Sequence, residues 1–189
     1  MSTRGLYGIR KNGVDKCTYN HCDSYPDWLG KEVLLFCNSH TKEELSKLFD
    51  LIELVDKHSR PAPEQLKYYK ESGYANSNLS FDASWDDVLF ELEGNFEAYS
   101  EMLKTNRIIY MTDYIDFIKD SLFCEYAYII NLDEEVLEFY VGFQKKPQKN
   151  NRYGTTSLNT YYPCKLVYRV PFDELKNMDQ VITIMNKCK

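Results

Sequence analysis

Two apolar runs in the second half of the chain constrain its fold more than any other feature of the sequence. Residues 124–131 read CEYAYIIN and residues 136–143 read VLEFYVGF. Both runs are rich in the β-branched and aromatic residues that favour strands. The four residues between them predict a hairpin turn. Because the first run is apolar on both faces, we expect it to be a central strand of a sheet.

A second hairpin is predicted at the start of the chain, over residues 4–10 and 14–20. Asn12 and Gly13 can both adopt the positive φ angles of a type I′ turn. An isolated hairpin is not stable in water, so this one is expected to join the late strands in one sheet. Gly5 and Gly8 indicate that another backbone or a ligand approaches the first strand closely.

Helices are predicted between the two hairpins. Thr41 and Glu44 have the spacing of a capping box, and a helix is expected from there to about Lys57. A further strand is predicted at 164–170, and no regular βαβ alternation is present. We therefore predict an α+β fold in a single domain, 1–189, with a mainly antiparallel sheet of about five strands and helices packed on one face. The other predicted helices cover residues 31–37, 63–72, 85–93, 96–104, 112–120 and 178–186.

Charge and composition restrict the possible partners. The 189 residues carry a formal charge of −6, which disfavours direct nucleic-acid binding because such binding needs a basic surface. No run approaches the roughly 18 apolar residues of a membrane span, and the start lacks the apolar core of a secretion signal. Six scattered cysteines are expected to be free thiols. These features predict a cytoplasmic protein without a membrane partner.

The loop that leaves the first hairpin is the best candidate for chemistry. It reads YNHCDSY over residues 19–25, and histidine is the side-chain type that changes charge near neutral pH. We predict His21 as the acid or base and Asp23 as the group that orients it. Residues of the same types also form ordinary turns, so a purely structural loop is an equal alternative. The predicted ligand-binding residues are Arg4, Asn20, Ser24 and Tyr25.

Two other kinds of site are less favoured by the sequence. The chain has three histidines and contains neither HExxH nor CxxC, so no metal site and no cofactor are predicted. The loop from Lys145 to Arg152 is the one basic stretch. It is suited to contact phosphate or an acidic partner, although a mobile surface loop is the simpler interpretation.

Several segments of the chain resemble a family of bacterial and phage proteins, with more distant fungal relatives, for which no activity is established. The resemblance covers most of the length and implies no catalytic roles. The segments that carry it are Thr3-Arg4-Gly5 with Tyr7, Tyr19-Asn20-His21 with Asp23-Ser24-Tyr25-Pro26 and Leu29-Gly30, Glu93-Gly94-Asn95, and the run DSLFCEYAYIINLD over residues 120–133.

Two hypotheses from different classes follow. The first is an enzyme or small-ligand binder that acts on a polar small molecule, such as a phosphorylated one, through the first hairpin and its exit loop, by hydrolysis or group transfer. The second is an acidic protein-interaction module, such as a phage-type inhibitor that covers the basic surface of a defence nuclease. The second hypothesis is supported by an acidic surface rich in tyrosine, because tyrosine is favoured at interfaces, and it predicts a large exposed patch of Tyr, Asp and Glu without a pocket.

Overall fold

The computed structural model describes residues 3–188, which form seven strands and six α-helices. Short 3₁₀ or π-helical turns lie between several of them, at Pro26–Gly30, Phe90–Leu92, Ile115–Lys119 and Phe172–Glu174. The strands are β1 (Gly5–Lys11), β2 (Val14–Asn20), β3 (Ile52–Val55), β4 (Ile109–Thr112), β5 (Tyr126–Asn131), β6 (Val136–Val141) and β7 (Lys165–Pro171). The helices are α1 (Lys31–Ser39), α2 (Lys42–Leu51), α3 (Pro63–Glu71), α4 (Trp85–Leu89), α5 (Phe96–Thr105) and α6 (Met178–Lys187).

The main sheet confirms the predicted α+β architecture. Its strand order is β2-β1-β5-β6-β7, and every pair is antiparallel except β1 with β5. The opening hairpin therefore joins the late strands, as an isolated hairpin must. β5 lies at the centre with all six residues buried. The turn between β1 and β2 has φ values of 53° at Asn12 and 76° at Gly13, as predicted.

Helices cover one face of the sheet, and irregular structure covers the other. The helical face buries Tyr7, Tyr128 and Phe139 against α1, α2, α5 and α6. The opposite face buries Leu6, Cys17, Ala127, Ile129 and Tyr140 under the 3₁₀ turn at Ile115–Lys119 and the loop that follows β6. Since alternate residues of a strand point to opposite faces, both sides of the central strands are withdrawn from water.

Two predictions about secondary structure are wrong, and both errors concern the region of the second, smaller sheet. The helix that begins at the Thr41–Glu44 capping box ends at Leu51 and not near Lys57. The next four residues form β3, which pairs in parallel with β4 in a separate two-stranded sheet. Residues 112–120 are likewise not an α-helix, because β4 ends at Thr112 and a 3₁₀ turn follows. Pairing between segments some 57 residues apart leaves no trace in local periodicity, because each short apolar run also fits a helix.

The two glycines of β1 are explained by close approach of the chain itself. A Cβ on Gly5 would lie 2.6 Å from the Cβ of Ser24, and one on Gly8 would lie 2.3 Å from the carbonyl oxygen of Lys16. Real Cβ atoms do not approach other atoms this closely. Glycine is therefore required where β1 packs on β2 and on the exit loop.

Two observations concern the predicted cellular setting. Among residues 3–188, no helix has both the length and the apolar character needed to span a membrane. All six cysteines lie in the described part of the chain and are free thiols.

Candidate functional site

The exit loop is held in shape by Asn20 and Ser24. The Asn20 amide nitrogen donates to the carbonyl oxygen of Cys22 and, at 2.8 Å, to the Ser24 hydroxyl. Ser24 is fully buried, and its carbonyl accepts a hydrogen bond of 3.0 Å from the Tyr128 hydroxyl. Both side chains are therefore engaged in shaping the loop, so we assign them a positioning role and not direct contact with a ligand.

The other predicted site residues lie at or near the surface. His21 and Asp23 are exposed, and Asp23 has a left-handed φ of 53° that turns the chain toward the first helical turn. Tyr25 is 38% exposed. Arg4 is half-buried, and its guanidinium carbon lies 4.5 Å from the centre of the Phe123 ring. The loop thus presents His21 outward from a fixed base.

Glu93 is the functional candidate that sequence reasoning missed. Its carboxylate accepts a hydrogen bond of 3.1 Å from the His21 backbone N–H, across 72 residues of chain. The Tyr7 hydroxyl holds the backbone on either side of Glu93. It donates to the Leu92 carbonyl at 3.2 Å and accepts from the Gly94 N–H at 3.0 Å. Glu93 is therefore attached to β1 and to the exit loop at the same time.

The surroundings of Glu93 favour its neutral form. Burial raises the pKa of Glu93 to about 7, the hydrogen bond from the His21 amide opposes that effect, and the charge of Asp86 adds to it. A carboxyl group that gains and loses its proton near neutral pH suits general acid–base chemistry. Perturbed groups of this kind cluster at functional sites.

A narrow polar recess contains Glu93. Its cavity volume is about 10 Å³, roughly the room needed for one water molecule, and it is partly open to solvent. Within it the hydroxyls of Thr18 and Thr112 are 2.8 Å apart, and Asp86 accepts a 2.8 Å hydrogen bond from the Tyr114 hydroxyl nearby. We call it the Glu93 recess, defined by Tyr7, Thr18, Asp86, Leu89, Leu92, Glu93, Tyr99, Met111 and Thr112.

A wider groove lies beside the recess, at the carboxyl ends of the two parallel strands. It measures about 380 Å³. Tyr114 lines this groove, bonds to Asp86 of the recess, and so separates the two spaces. Ligands of parallel sheets commonly bind beyond the carboxyl ends of the strands. We call it the β3–β4 groove, defined by Leu54, Val55, Asp56, Lys57, His58, Asp113, Tyr114, Asp116 and Phe117.

Two cations flank the pair of spaces. Arg4 interacts with the side chain of Tyr19, and the Tyr19 ring stacks on Tyr114 at 5.3 Å between centroids. Burial raises the pKa of Tyr19, the charge of Arg4 lowers it, and the charge of Glu93 raises it. The Lys57 ammonium lies 4.8 Å from the Tyr114 ring centre. In residues 3–188 neither Arg4 nor Lys57 forms a salt bridge.

Segments far apart in the sequence converge at this site. The Glu125 N–H donates to the Arg4 carbonyl at 3.0 Å, in addition to the Tyr128–Ser24 and His21–Glu93 contacts described above. The segments that carry the resemblance to bacterial and phage proteins are therefore in mutual contact. A glutamate followed by a helix-ending glycine was visible in the sequence, but its burial beside His21 was not.

The predicted basic loop is partly neutralised by folding. Arg152 turns inward and forms a two-point salt bridge with Glu138, at 3.0 and 2.6 Å. The lysines of the loop stay exposed. Among the described residues, no group of three or more His, Cys, Asp or Glu side chains is arranged to hold a metal ion.

Comparisons with known proteins add no identification. No protein-family model matches the chain, and comparison with curated proteins and with solved structures likewise found no match. The resemblance to bacterial and phage proteins stays a prediction.

Replacing Asn20 with alanine tests its positioning role. The variant leaves the buried Ser24 hydroxyl and the Cys22 carbonyl without the Asn20 donor. We expect the free energy of unfolding to fall by about 1–3 kcal/mol, measured by urea denaturation. Ser77→Ala, in an exposed turn, is the control and should change stability little. Equal stability of Asn20→Ala and wild type would contradict the assignment.

The pH dependence of stability tests the environment of Glu93. Its folded pKa of about 7 exceeds the ordinary 4.5, so stability falls as pH rises between these values and is then constant. Glu93→Gln keeps an acceptor for the His21 amide and has no carboxyl to ionise, so its stability should not fall in this way as pH rises. We expect it to be about 1–2 kcal/mol more stable than wild type above pH 7, allowing for solvent screening, and equal to it near pH 4.5. If the stabilities of wild type and Glu93→Gln changed with pH in parallel, the expectation would be contradicted. Glu97→Gln, at an exposed position, is the control.

Proposed function

We propose that this chain binds a small polar molecule carrying an anionic group, and that Glu93 exchanges a proton with it. The observation that carries the proposal is a half-buried carboxyl, suited to neutral-pH proton transfer, in a polar recess beside His21. This function develops the hypothesis of an enzyme or small-ligand binder acting through the exit loop of the first hairpin.

The recess and the groove have different roles in this proposal. The Glu93 recess is narrow and admits only one polar group of a ligand, whereas the β3–β4 groove has room for its body. Tyr114 forms part of the wall between them, and its hydroxyl bond to Asp86 stabilises that wall. A ligand that spans both spaces would place one polar group against the Glu93 carboxyl.

Arg4 and Lys57 are the proposed anion-binding groups. A guanidinium presents several donors in one plane, which suits the paired oxygens of a phosphate or a carboxylate. Both side chains rest on aromatic rings and form no salt bridge within residues 3–188. Their charge is therefore available to an anionic ligand.

His21 lies at the mouth of the site. Its ring is 6.0 Å from the Tyr19 ring and 6.4 Å from the Phe90 ring, and its backbone is bonded to Glu93. From this position it is suited to contact the ligand and to relay a proton between Glu93 and solvent. Asn20 and Ser24 keep the His21 backbone in place, and Asp23 and Tyr25 form the outer rim.

A ligand panel tests the proposal. Wild-type protein is screened by thermal shift against phosphorylated and carboxylated metabolites. We expect at least one compound to raise the melting temperature, and its affinity to follow a single ionisation near pH 7. Arg4→Gln and His21→Ala should weaken binding, and Glu93→Gln should abolish the pH dependence. Lys104→Ala, on the exposed face of α5, is the matched control.

Two results would contradict the proposal. One is a panel in which no anionic compound stabilises the protein. The other is a stabilising compound whose affinity is the same for wild type, Arg4→Gln and Glu93→Gln, since that compound would occupy a different site.

The alternative function, a tyrosine-rich interaction module, has no comparable support. Most tyrosines are buried or half-buried, and in the described part of the chain Tyr25 is the one exposed tyrosine. The inhibitor hypothesis therefore lacks the exposed tyrosines that supported it.

A further inference from the structure

We propose that the segment from Phe143 to Lys165 is a binding surface for single-stranded nucleic acid. We call it the acid-free segment, because residues 143–165 contain no Asp or Glu. The surface is separate from the Glu93 recess and does not depend on the function proposed there.

The first support is an uneven distribution of charge. Residues 139–172 contain six Lys or Arg and no Asp or Glu, whereas the rest of the chain contains 17 Lys or Arg and 29 Asp or Glu. The formal charge of −6 describes the chain as a whole and does not reflect this basic stretch. The expectation that the protein avoids nucleic acid came from net charge alone, whereas binding depends on the local surface.

Folding leaves four of the six cations available. Arg152 is paired with Glu138, and Arg169 is paired with Glu134. The remaining four cations are exposed, and no salt bridge within residues 3–188 includes them. They are Lys145, Lys146, Lys149 and Lys165.

Three of these lysines line one groove. The groove is open and measures about 510 Å³. Its remaining lining is neutral, so a phosphate backbone passing through it would meet cations and amides without a carboxylate. The lining residues are Gln144, Lys145, Lys146, Pro147, Gln148 and Lys165.

An exposed aromatic ring, Phe143, and a half-buried one, Tyr161, lie next to the lysines. Phe143 is 51% exposed and has a left-handed φ of 56°, which is strained for a bulky side chain. Its ring centre is 6.4 Å from that of Tyr161, and the Lys145 ammonium lies 3.4 Å from the Tyr161 centroid. Backbone strain of this kind is commonly kept at functional sites. In this protein the strained residue, Phe143, places an exposed aromatic ring beside lysines.

The surface is fixed in place and is not a free loop. The Gln148 side chain accepts from the Leu166 N–H and donates to the Leu166 carbonyl, both at 3.0 Å. The Asn151 amide donates to the Cys164 carbonyl at 2.9 Å. Arg152 adds its salt bridge to Glu138. A surface ordered in advance loses less conformational entropy when it binds.

Lysines beside an exposed phenylalanine and a half-buried tyrosine fit single-stranded nucleic acid best. Proteins that bind single strands combine a basic groove for the phosphates with aromatic rings on which unpaired bases stack. A duplex keeps its bases stacked internally and would leave Phe143 unused. An acidic peptide or a simple polyanion would contact the lysines with no requirement for the rings.

Fluorescence anisotropy with labelled oligo(dT) and oligo(U) tests the proposal on the full chain. We expect wild type to bind. Lys145→Glu/Lys146→Glu should lower the affinity at least tenfold. It should also reduce the slope of log affinity against log salt concentration by about 0.7 for each lysine. Phe143→Ala should weaken binding about fivefold or more, because fivefold is the lower end of the effect expected from losing one stacked base. The salt dependence should not change. The control, Lys67→Glu/Lys104→Glu, changes net charge equally on α3 and α5 and should bind like wild type.

Circular dichroism and melting temperature confirm first that each variant is folded. Absence of binding by wild type at low salt would overturn the proposal. Equal weakening in the control variant would also overturn it, because the effect would then be one of net charge. Affinity for duplex DNA or heparin that equals the affinity for oligo(dT), with no effect of Phe143→Ala, would assign the lysines to non-specific anion binding.

Discussion

Replacing Arg152 with leucine is expected to lower the free energy of unfolding by about 3–5 kcal/mol. The substitution removes both hydrogen bonds from the guanidinium to Glu138, a carboxylate with no exposed surface. A buried charge without its partner is strongly destabilising, because desolvation is no longer offset. The Asn131 amide, the Tyr140 hydroxyl and, at 3.5 Å, the Arg169 guanidinium continue to contact Glu138, which keeps the loss within this range.

The effect of Arg152→Leu should depend on pH. Burial raises the pKa of Glu138, but the hydrogen bonds from Arg152 and Asn131 outweigh it and lower the pKa below the ordinary value. A lowered pKa gives stability that is present above the unfolded value, about 4.3, and is lost as pH falls through the folded value. The difference between wild type and variant should therefore shrink in acid.

Urea denaturation followed by the fluorescence of the two tryptophans measures this effect. Glu138→Gln in the Arg152→Leu background removes the buried charge that has lost its two-point partner and should recover much of the lost stability. The matched control is Arg60→Leu, at an exposed position, which should change stability by less than about 0.5 kcal/mol. A loss in Arg152→Leu no greater than in this control would show that the salt bridge does not stabilise the fold.

Replacing Gly8 with alanine is the second substitution with a large expected effect, a loss of about 3 kcal/mol. The new Cβ would lie 2.3 Å from the Lys16 carbonyl oxygen and 2.6 Å from the Cys17 Cα. Both are backbone atoms of the paired strand β2, so no side-chain rotation relieves the clash. β1 and β2 would have to separate, and β2 leads directly into the exit loop.

Gly30→Ala is the matched comparison for Gly8→Ala. A Cβ on Gly30 would lie 2.9 Å from an edge atom of the Tyr128 ring. A side chain can shift by a few tenths of an ångström, and alanine favours a helical backbone by about 1 kcal/mol over glycine. We expect a clearly smaller loss than in Gly8→Ala, measured by the same denaturation experiment. Equal losses would mean that the backbone contact of Gly8 is not the cause.

The sequence by itself determined the elements whose signals are local. The Asn12–Gly13 turn, the Thr41–Glu44 cap and the break at Gly94 all formed where predicted. Each depends on the conformational preferences of a few neighbouring residues. The position of β5 at the sheet centre was also predictable, because a strand that is apolar on both faces must be covered on both.

The tertiary structure alone decided the features that depend on contacts between distant residues. β3 became a strand because it pairs with β4, and Glu93 became a proton-transfer candidate because folding buries it beside His21. Arg152 does not contribute its charge to the basic surface, because it forms a salt bridge with the buried Glu138. Desolvation and pairing are properties of a site in three dimensions, so local sequence patterns do not record them. The sequence pointed to the exit loop as a candidate site, but the half-buried acidic group beside that loop comes from another part of the chain.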